Sequence, residues 1–174
     1  MFSVVLVCIV ILQRLIELWI AQKNERWILQ QGGYEVGAKH YPFMLVLHSS
    51  FFLFLLLEIL YIKRTLSAYW GILFICFLCV QLVRVWCLFS LGRFWNTKIL
   101  VLPSAQRVSK GPYKFIRHPN YVIVTIELLV LPLLLNAYYT AIIFSILNLW
   151  MLSVRIPIEE KALIDAEQQK IPLT

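Results

Sequence analysis

The amino-acid sequence predicts an all-α integral membrane protein of about five transmembrane helices, the last two joined as a tight hairpin. Three observations carry this. Of the 174 residues 61% are hydrophobic and mean hydropathy is +0.79, whereas soluble domains run at about 45–50% apolar. The apolar residues gather into unbroken runs, while membrane strands alternate apolar and polar positions, so strands are set aside. The formal charge of +7 sits mostly between the runs.

Taken in order, the spans are expected at about 2–21, 43–62 and 69–91, each close to the ~20 residues that cross a bilayer core. No basic residue precedes the first run and no small-residue cleavage pattern follows it, so it reads as retained rather than as a removed signal. The next run, 121–154, is too long for one span and short for two. Pro132 interrupts the backbone ladder within it, and Asn136-Ala137 offers a turn, which divides it into spans of about 119–135 and 137–155. The chain, 1–174, therefore reads as a single helical domain without repeats or linkers. The final residues, 171–174, carry no lipidation box.

Charge sets the orientation. The stretches 22–42 and 92–120, with the tail from Arg155, hold twelve of the sixteen Lys and Arg. The opposite side holds Lys63 and Arg64. The long loops and tail are expected in the cytoplasm and the N-terminus outside. The same account makes nucleic-acid binding a poor explanation of the charge, because no soluble face remains to carry it. Cys8, Cys76, Cys79 and Cys87 all fall inside spans. Cys76 and Cys79 form a CxxC without a second ligand pair, so small buried hydrophobes are expected rather than a metal or redox site.

Polar residues inside the spans carry information because a charge at the helix centre costs about 2.5–3.5 kcal/mol on insertion scales. They are Gln13, Arg14 and Glu17 in the first span, His48 and Glu58 in the second, Gln81 and Arg84 in the third, and Glu127 in the fourth. Arg14 and Glu17 share a helix face. An interhelical clamp is the first reading, with Glu17 or Glu127 pairing Arg84 or Arg14; lining of a substrate cavity is the second, and snorkelling the third.

The densest polar chemistry lies at 110–122, KGPYKFIRHPNYV, at the lip of the hairpin. Gly111-Pro112 is a turn that stiffens the approach to Tyr113. Pro119 biases His118 away from helix and suits the first helical turn, which places Arg117 and His118 at a helix N-terminus that attracts anions. Headgroup anchoring explains Lys110 and Lys114; it does not explain a His and three aromatics held between two prolines. Arg155-Ile156-Pro157-Ile158-Glu159-Glu160 follows the fifth span. Pro157 suits the start of a new helix whose positive end would take Glu159 and Glu160. The hairpin returns these carboxylates to the side of Arg117 and His118. The two clusters together suit a zwitterionic, nucleotide-like cofactor held against the bilayer.

Gly111-Pro112-Tyr113, then Arg117-His118-Pro119-Asn120-Tyr121, a hairpin, Arg155 and Glu159-Glu160 resemble the signature of the isoprenylcysteine carboxyl methyltransferase family. The resemblance covers about 90–165, the expected catalytic half, and the first three spans only loosely. It implies S-adenosylmethionine as cofactor at a cytoplasmic site, a lipophilic small-molecule acceptor entering from membrane lipid, and no metal. By resemblance Tyr113, Arg117, His118, Tyr121 and Glu160 would bind the cofactor, Arg155 would orient an anionic acceptor, and Glu159 would position Arg155 or a cofactor group. The block with Arg93-Phe94-Trp95 and Pro103 is most similar to a short bacterial branch that O-methylates alkylpyrones made by a type III polyketide synthase, which implies a bacterial cell membrane. One position departs: Ile123 stands where the family commonly has Gly, a residue that permits close backbone approach to a ligand. On the residues alone three other readings stay open. They are lipid-amine N-methylation with Glu159 as base, an NADPH-dependent membrane reductase, and a non-catalytic lipid-binding protein.

Overall fold

The computed structural model describes residues 2–62, 66–103 and 105–168; Lys63, Arg64 and the C-terminal 171–174 lie outside them. Five helices carry the fold: α1 Phe2–Gln30, α2 Tyr41–Tyr61, α3 Trp70–Leu91, α4 Pro119–Leu134 and α5 Tyr138–Gln168. α1, α2, α3 and α5 are long and apolar enough to cross a membrane; α4 is a shorter apolar helix. The protein is an all-α integral membrane protein.

α1 continues to Gln30, beyond the expected span end near residue 21. At 1.5 Å per residue it is about 43 Å long, so its last turns stand clear of a ~30 Å hydrocarbon core. Strands were set aside too broadly. β1 (Tyr34–Val36) pairs antiparallel with β2 (Ile99–Val101), Tyr34 opposite Val101. The pair lies in the loops, where the alternation argument for membrane barrels does not apply. Beside it, Asn24 Nδ2 donates to the Trp95 carbonyl at 2.8 Å and Asn96 Nδ2 to the Ala21 carbonyl at 3.2 Å. Lys98 Nζ donates to Glu25 at 2.7 Å and Glu35 at 3.2 Å. The Glu25 bond leads in holding the Lys98 pKa above its usual value. Residues 92–101 are thereby fixed to the end of α1.

The α4–α5 hairpin turns on Asn136, whose φ of 56° is left-handed. The Ala137 N–H donates to the Pro132 carbonyl at 2.8 Å and the Asn136 N–H to the Leu133 carbonyl at 3.2 Å, so the last carbonyls of α4 are satisfied. The free N–H groups of α5 find Glu58 on α2. Its carboxylate accepts from the Thr140 N–H at 2.8 Å, the Tyr139 N–H at 3.3 Å and the Thr140 hydroxyl at 2.7 Å. Glu58 is thus a helix cap and no part of a charge clamp. Glu58→Ala is expected to remove about 1–2 kcal/mol and several degrees of melting temperature in detergent. A melting temperature equal to wild type would show the cap to be energetically silent.

Pro157 does not begin a new helix: α5 runs unbroken through it. Proline offers no N–H to the carbonyl four residues back. Arg155 and Glu159, on either side and one turn apart, are both tied to Tyr121, and these bonds hold the axis through the interruption. Of the cysteines Cys87 is buried, while Cys8 and Cys79 lie on exposed helix faces, unlike the expectation of buried side chains.

The charged residues of the spans form one cluster. Arg84 on α3 donates through Nε and Nη2 to Glu17 at 2.9 and 2.8 Å, and through Nη1 to Glu127 at 2.9 Å. Arg14 donates to Glu17 at 2.5 Å and also to Glu127. Gln13 adds a bond to Glu17 at 3.1 Å and Gln81 one to Glu127 at 3.2 Å. Two cations and two anions are mutually neutralised across α1, α3 and α4, which is how buried charge is tolerated. The cluster is the interhelical clamp, and Arg14, Glu17, Arg84 and Glu127 also line the cavity described next.

Candidate active site

A cavity of about 460 Å³ opens among the loops and runs down between the helices. This lies in the size range of small-molecule sites. Its lip is built from 113–121 and from α5. Gly111, at φ 56°, lets the chain approach α3 so closely that a Cβ there would stand 2.2 Å from Ser90 Oγ. The turn then delivers Tyr113 and, through Pro119 at the start of α4, His118 and Tyr121. His118 stacks on Tyr121 with ring centroids 5.4 Å apart.

Arg155 is 7% exposed, held in place from three sides. Nη2 donates to the Thr97 carbonyl at 2.5 Å, Nε to the Tyr121 hydroxyl at 2.8 Å, and Nη1 to Met44 Sδ at 2.8 Å. The Tyr121 hydroxyl donates onward to Glu159. Arg155 and Glu159 are therefore linked through a phenol rather than paired directly. His118 Nε2 lies 3.4 Å from Glu160, and Arg117 Nη1 lies 3.8 Å from the same carboxylate.

Tyr113, Arg117, His118, Tyr121, Arg155 and Glu159 all line the cavity. Glu160 does not. It borders a second, more open groove between α4 and α5, shared with Arg117, His118 and Tyr121. Ile123 is 4% exposed and packs among Ala21, Val80, Cys87 and Trp95. It does not line the cavity itself but packs behind Trp95 and Tyr113, which do.

Of the opposite wall, sequence reasoning named His48 only as a polar residue of a span and missed Tyr41 and Met44. Tyr41, Met44 and His48 descend one face of α2 into the cavity, beside Trp95 and Asn120. Their 3–4 residue spacing signals a shared face, but nothing in the sequence says that this face meets Arg155. Three of these walls carry buried polar atoms without a hydrogen-bond partner: Trp95 Nε1, the Tyr113 hydroxyl and Asn120 Oδ1. The Cys87 thiol beside Tyr113 is a weak acceptor and makes no well-formed bond to it. Burial pushes the Tyr113 phenol well above its usual pKa, so it stays protonated. Unsatisfied buried groups are costly. The residues that carry these atoms line the cavity, but the atoms themselves are closed off behind its surface. Among the described residues no cluster of three or more His, Cys, Asp or Glu has metal-binding geometry.

Farther down, the lining turns apolar where α1 and α2 supply Ile11, Leu15, Leu18, Leu45 and Phe52. Leu15 and Leu45 are exposed on the lipid-facing surface as well. The cavity thus joins a polar lip to a hydrocarbon flank.

Residues 71–165 match the model of the isoprenylcysteine carboxyl methyltransferase (ICMT) family. The chain belongs to the ICMT family. Membership implies a membrane methyltransferase. The ICMT match covers α3, both hairpin helices and every site residue named above except those of α1 and α2. Over 158 residues, 91% of this chain and 94% of the relative, the protein is 48% identical to the uncharacterized protein YpbQ of Bacillus subtilis (strain 168). Over 155 residues, 86% of this chain and 88% of the relative, it is 30% identical to an uncharacterized protein of Haemophilus influenzae (strain ATCC 51907 / DSM 11121 / KW20 / Rd). No solved structure matches.

Proposed function

We propose that this ICMT-family protein is an S-adenosylmethionine-dependent O-methyltransferase. Its acceptor is a lipophilic carboxylate or acidic enol at the membrane interface. Alkylpyrones from a partner type III polyketide synthase are the first acceptors to try. The observation that carries this reading is the cavity, which holds a fixed cation, Arg155, with Tyr113, His118 and Tyr121 at its lip and opens onto an apolar flank. A water-soluble donor and a lipid-soluble acceptor meet in such a place.

Tyr113, His118 and Tyr121, with Trp95 and Asn120, would hold the cofactor, and Glu160 with Arg117 would close its outer edge. When bound, S-adenosylmethionine supplies a methyl group activated by an adjacent sulfonium. Arg155 pairs with the anionic acceptor and fixes its oxygen for attack, so proximity and exclusion of water do most of the catalytic work. Glu159 holds the Tyr121 hydroxyl, which in turn receives the Arg155 Nε–H. That engagement favours O-transfer over the amine-base role of N-methylation. The positive loops favour a lip on the cytoplasmic face, in this reading that of a bacterial cell membrane.

Thermal denaturation in detergent tests the reading. S-adenosylhomocysteine at about a hundred times its Kd should stabilise by about 2.7 kcal/mol, a shift of several degrees, and NADPH should give none. Stabilisation by NADPH alone would mean a reductase, and stabilisation by neither a non-catalytic protein.

A further inference from the structure

We propose that His48 is the base that takes the proton from the methyl acceptor's hydroxyl, so that the substrate is a neutral, weakly acidic enol or phenol with an alkyl chain, ionised only inside the cavity. This rests on the reading of methyl transfer to oxygen.

The hydrogen bond fixes the tautomer. His48 Nδ1 lies 2.8 Å from the Met44 carbonyl. A carbonyl oxygen only accepts, so Nδ1 carries the hydrogen and the neutral ring keeps a lone pair on Nε2. Among the described residues Nε2 has no hydrogen-bond partner, and His48 lines the cavity.

The other basic groups of the lining are engaged. Glu17 accepts from Gln13, Arg14 and Arg84, and Glu127 from Arg14, Gln81 and Arg84. Glu159 holds Tyr121, and the His118 ring faces Glu159 and Glu160 at 3.9 and 3.4 Å. The imidazole of His48 is the uncommitted base. The charges around it come from every neighbouring helix: Arg14 and Glu17 on α1, Arg84 on α3, Glu127 on α4, with Arg155 of α5 above.

Position agrees with the role. His48 lies one helical turn, about 6 Å, below Met44, and Met44 Sδ accepts from Arg155 Nη1 at 2.8 Å. An oxygen held between Arg155 and His48 has a cation on one side and a lone pair on the other. The apolar flank from α1 and α2 admits a neutral lipid far more readily than an anion.

The chemistry balances. The acceptor O–H bond breaks, its proton goes to His48 Nε2 and its electrons stay on oxygen. That oxygen forms a bond to the methyl carbon while the carbon–sulfur bond breaks and its electron pair goes to sulfur. His48 then returns the proton to water at the lip. A carboxylic acid already ionised in water needs no such base, which is why the inference points to an enol or phenol.

The test uses full-length protein in nanodiscs, labelled S-adenosylmethionine, and a long-chain alkylresorcinol and alkylphenol, both neutral at pH 7, as acceptors. His48→Gln keeps an acceptor atom but cannot take a proton. It should slow transfer at neutral pH by about 10²–10⁴-fold, the usual range for general-base catalysis. Its residual rate should climb with pH toward the acceptor's own ionisation, which the wild type should not require. Stabilisation by S-adenosylhomocysteine reports whether the variant is folded. Independently, ¹⁵N-histidine NMR of the wild type should show His48 with Nδ1 protonated and Nε2 bare, and Nε2 becoming protonated when acceptor and S-adenosylhomocysteine are both bound. An Nε2–H tautomer in the free protein, or matching rates and pH profiles for wild type and His48→Gln, overturns the inference and leaves methyl transfer standing. Absence of transfer by the wild type to either acceptor, with no stabilisation by S-adenosylhomocysteine, overturns both.

Discussion

Arg155→Ala is expected to lower methyl transfer by about 10²–10³-fold, the scale seen when one charge-stabilising donor is removed from an active site. The guanidinium is already spent on one carbonyl, one phenol and one thioether. It is therefore rigid before any substrate arrives, and an anion placed against it is aligned without further ordering. Arg155→Lys should recover little, since a single ammonium cannot reproduce a planar fork spanning Thr97, Tyr121 and Met44. Labelled-donor turnover measures the loss, and S-adenosylhomocysteine stabilisation should persist because the cofactor is held mainly by other groups. Full activity in Arg155→Ala would remove Arg155 from the chemistry.

Arg84→Met should have the largest effect on stability. It leaves Glu17 and Glu127 with only Arg14 between them, an uncompensated buried charge that costs about 3–5 kcal/mol. The melting temperature in detergent should fall by roughly 10 °C or more. Adding Glu127→Gln restores neutrality, and the double variant should regain about half of the loss, a coupling that a double-mutant cycle reads directly. Simple additivity would mean that packing, rather than charge balance, accounts for Arg84.

The helices and their hairpin were legible in the sequence because lipid forces them into uninterrupted apolar runs, and Asn136 with Pro132 marked the turn. The motif residues from Tyr113 to Glu159 were legible as a group, since polar residues at such a boundary stand out, and the structure gathers Tyr113, Arg117, His118, Tyr121, Arg155 and Glu159 on one cavity. What stayed hidden depends on which helix faces meet. Glu58 was visible only as a polar residue inside a span and caps α5, because the identity of a partner across 82 positions leaves no local trace. Pro157 looked like a helix start; bonds made by its neighbours to Tyr121 outweigh its local preference. His48 read as one more polar residue in a span until the Met44 carbonyl fixed its tautomer. Ile123 looked like a change to the site and stands one layer behind it, against Trp95 and Tyr113.

The charge quartet also has a consequence for biosynthesis. α1 carries Arg14 and Glu17 three residues apart and leaves the translocon neutral. α3 emerges with Arg84 alone and α4, the shorter apolar helix, with Glu127 alone, so each carries a charge whose cost in lipid falls when the two meet. α3 is therefore expected to linger at the translocon until α4 arrives and the two enter the bilayer as a pair. A chain arrested before residue 119 should leave α3 extractable by alkaline carbonate, whereas one arrested after the hairpin should not.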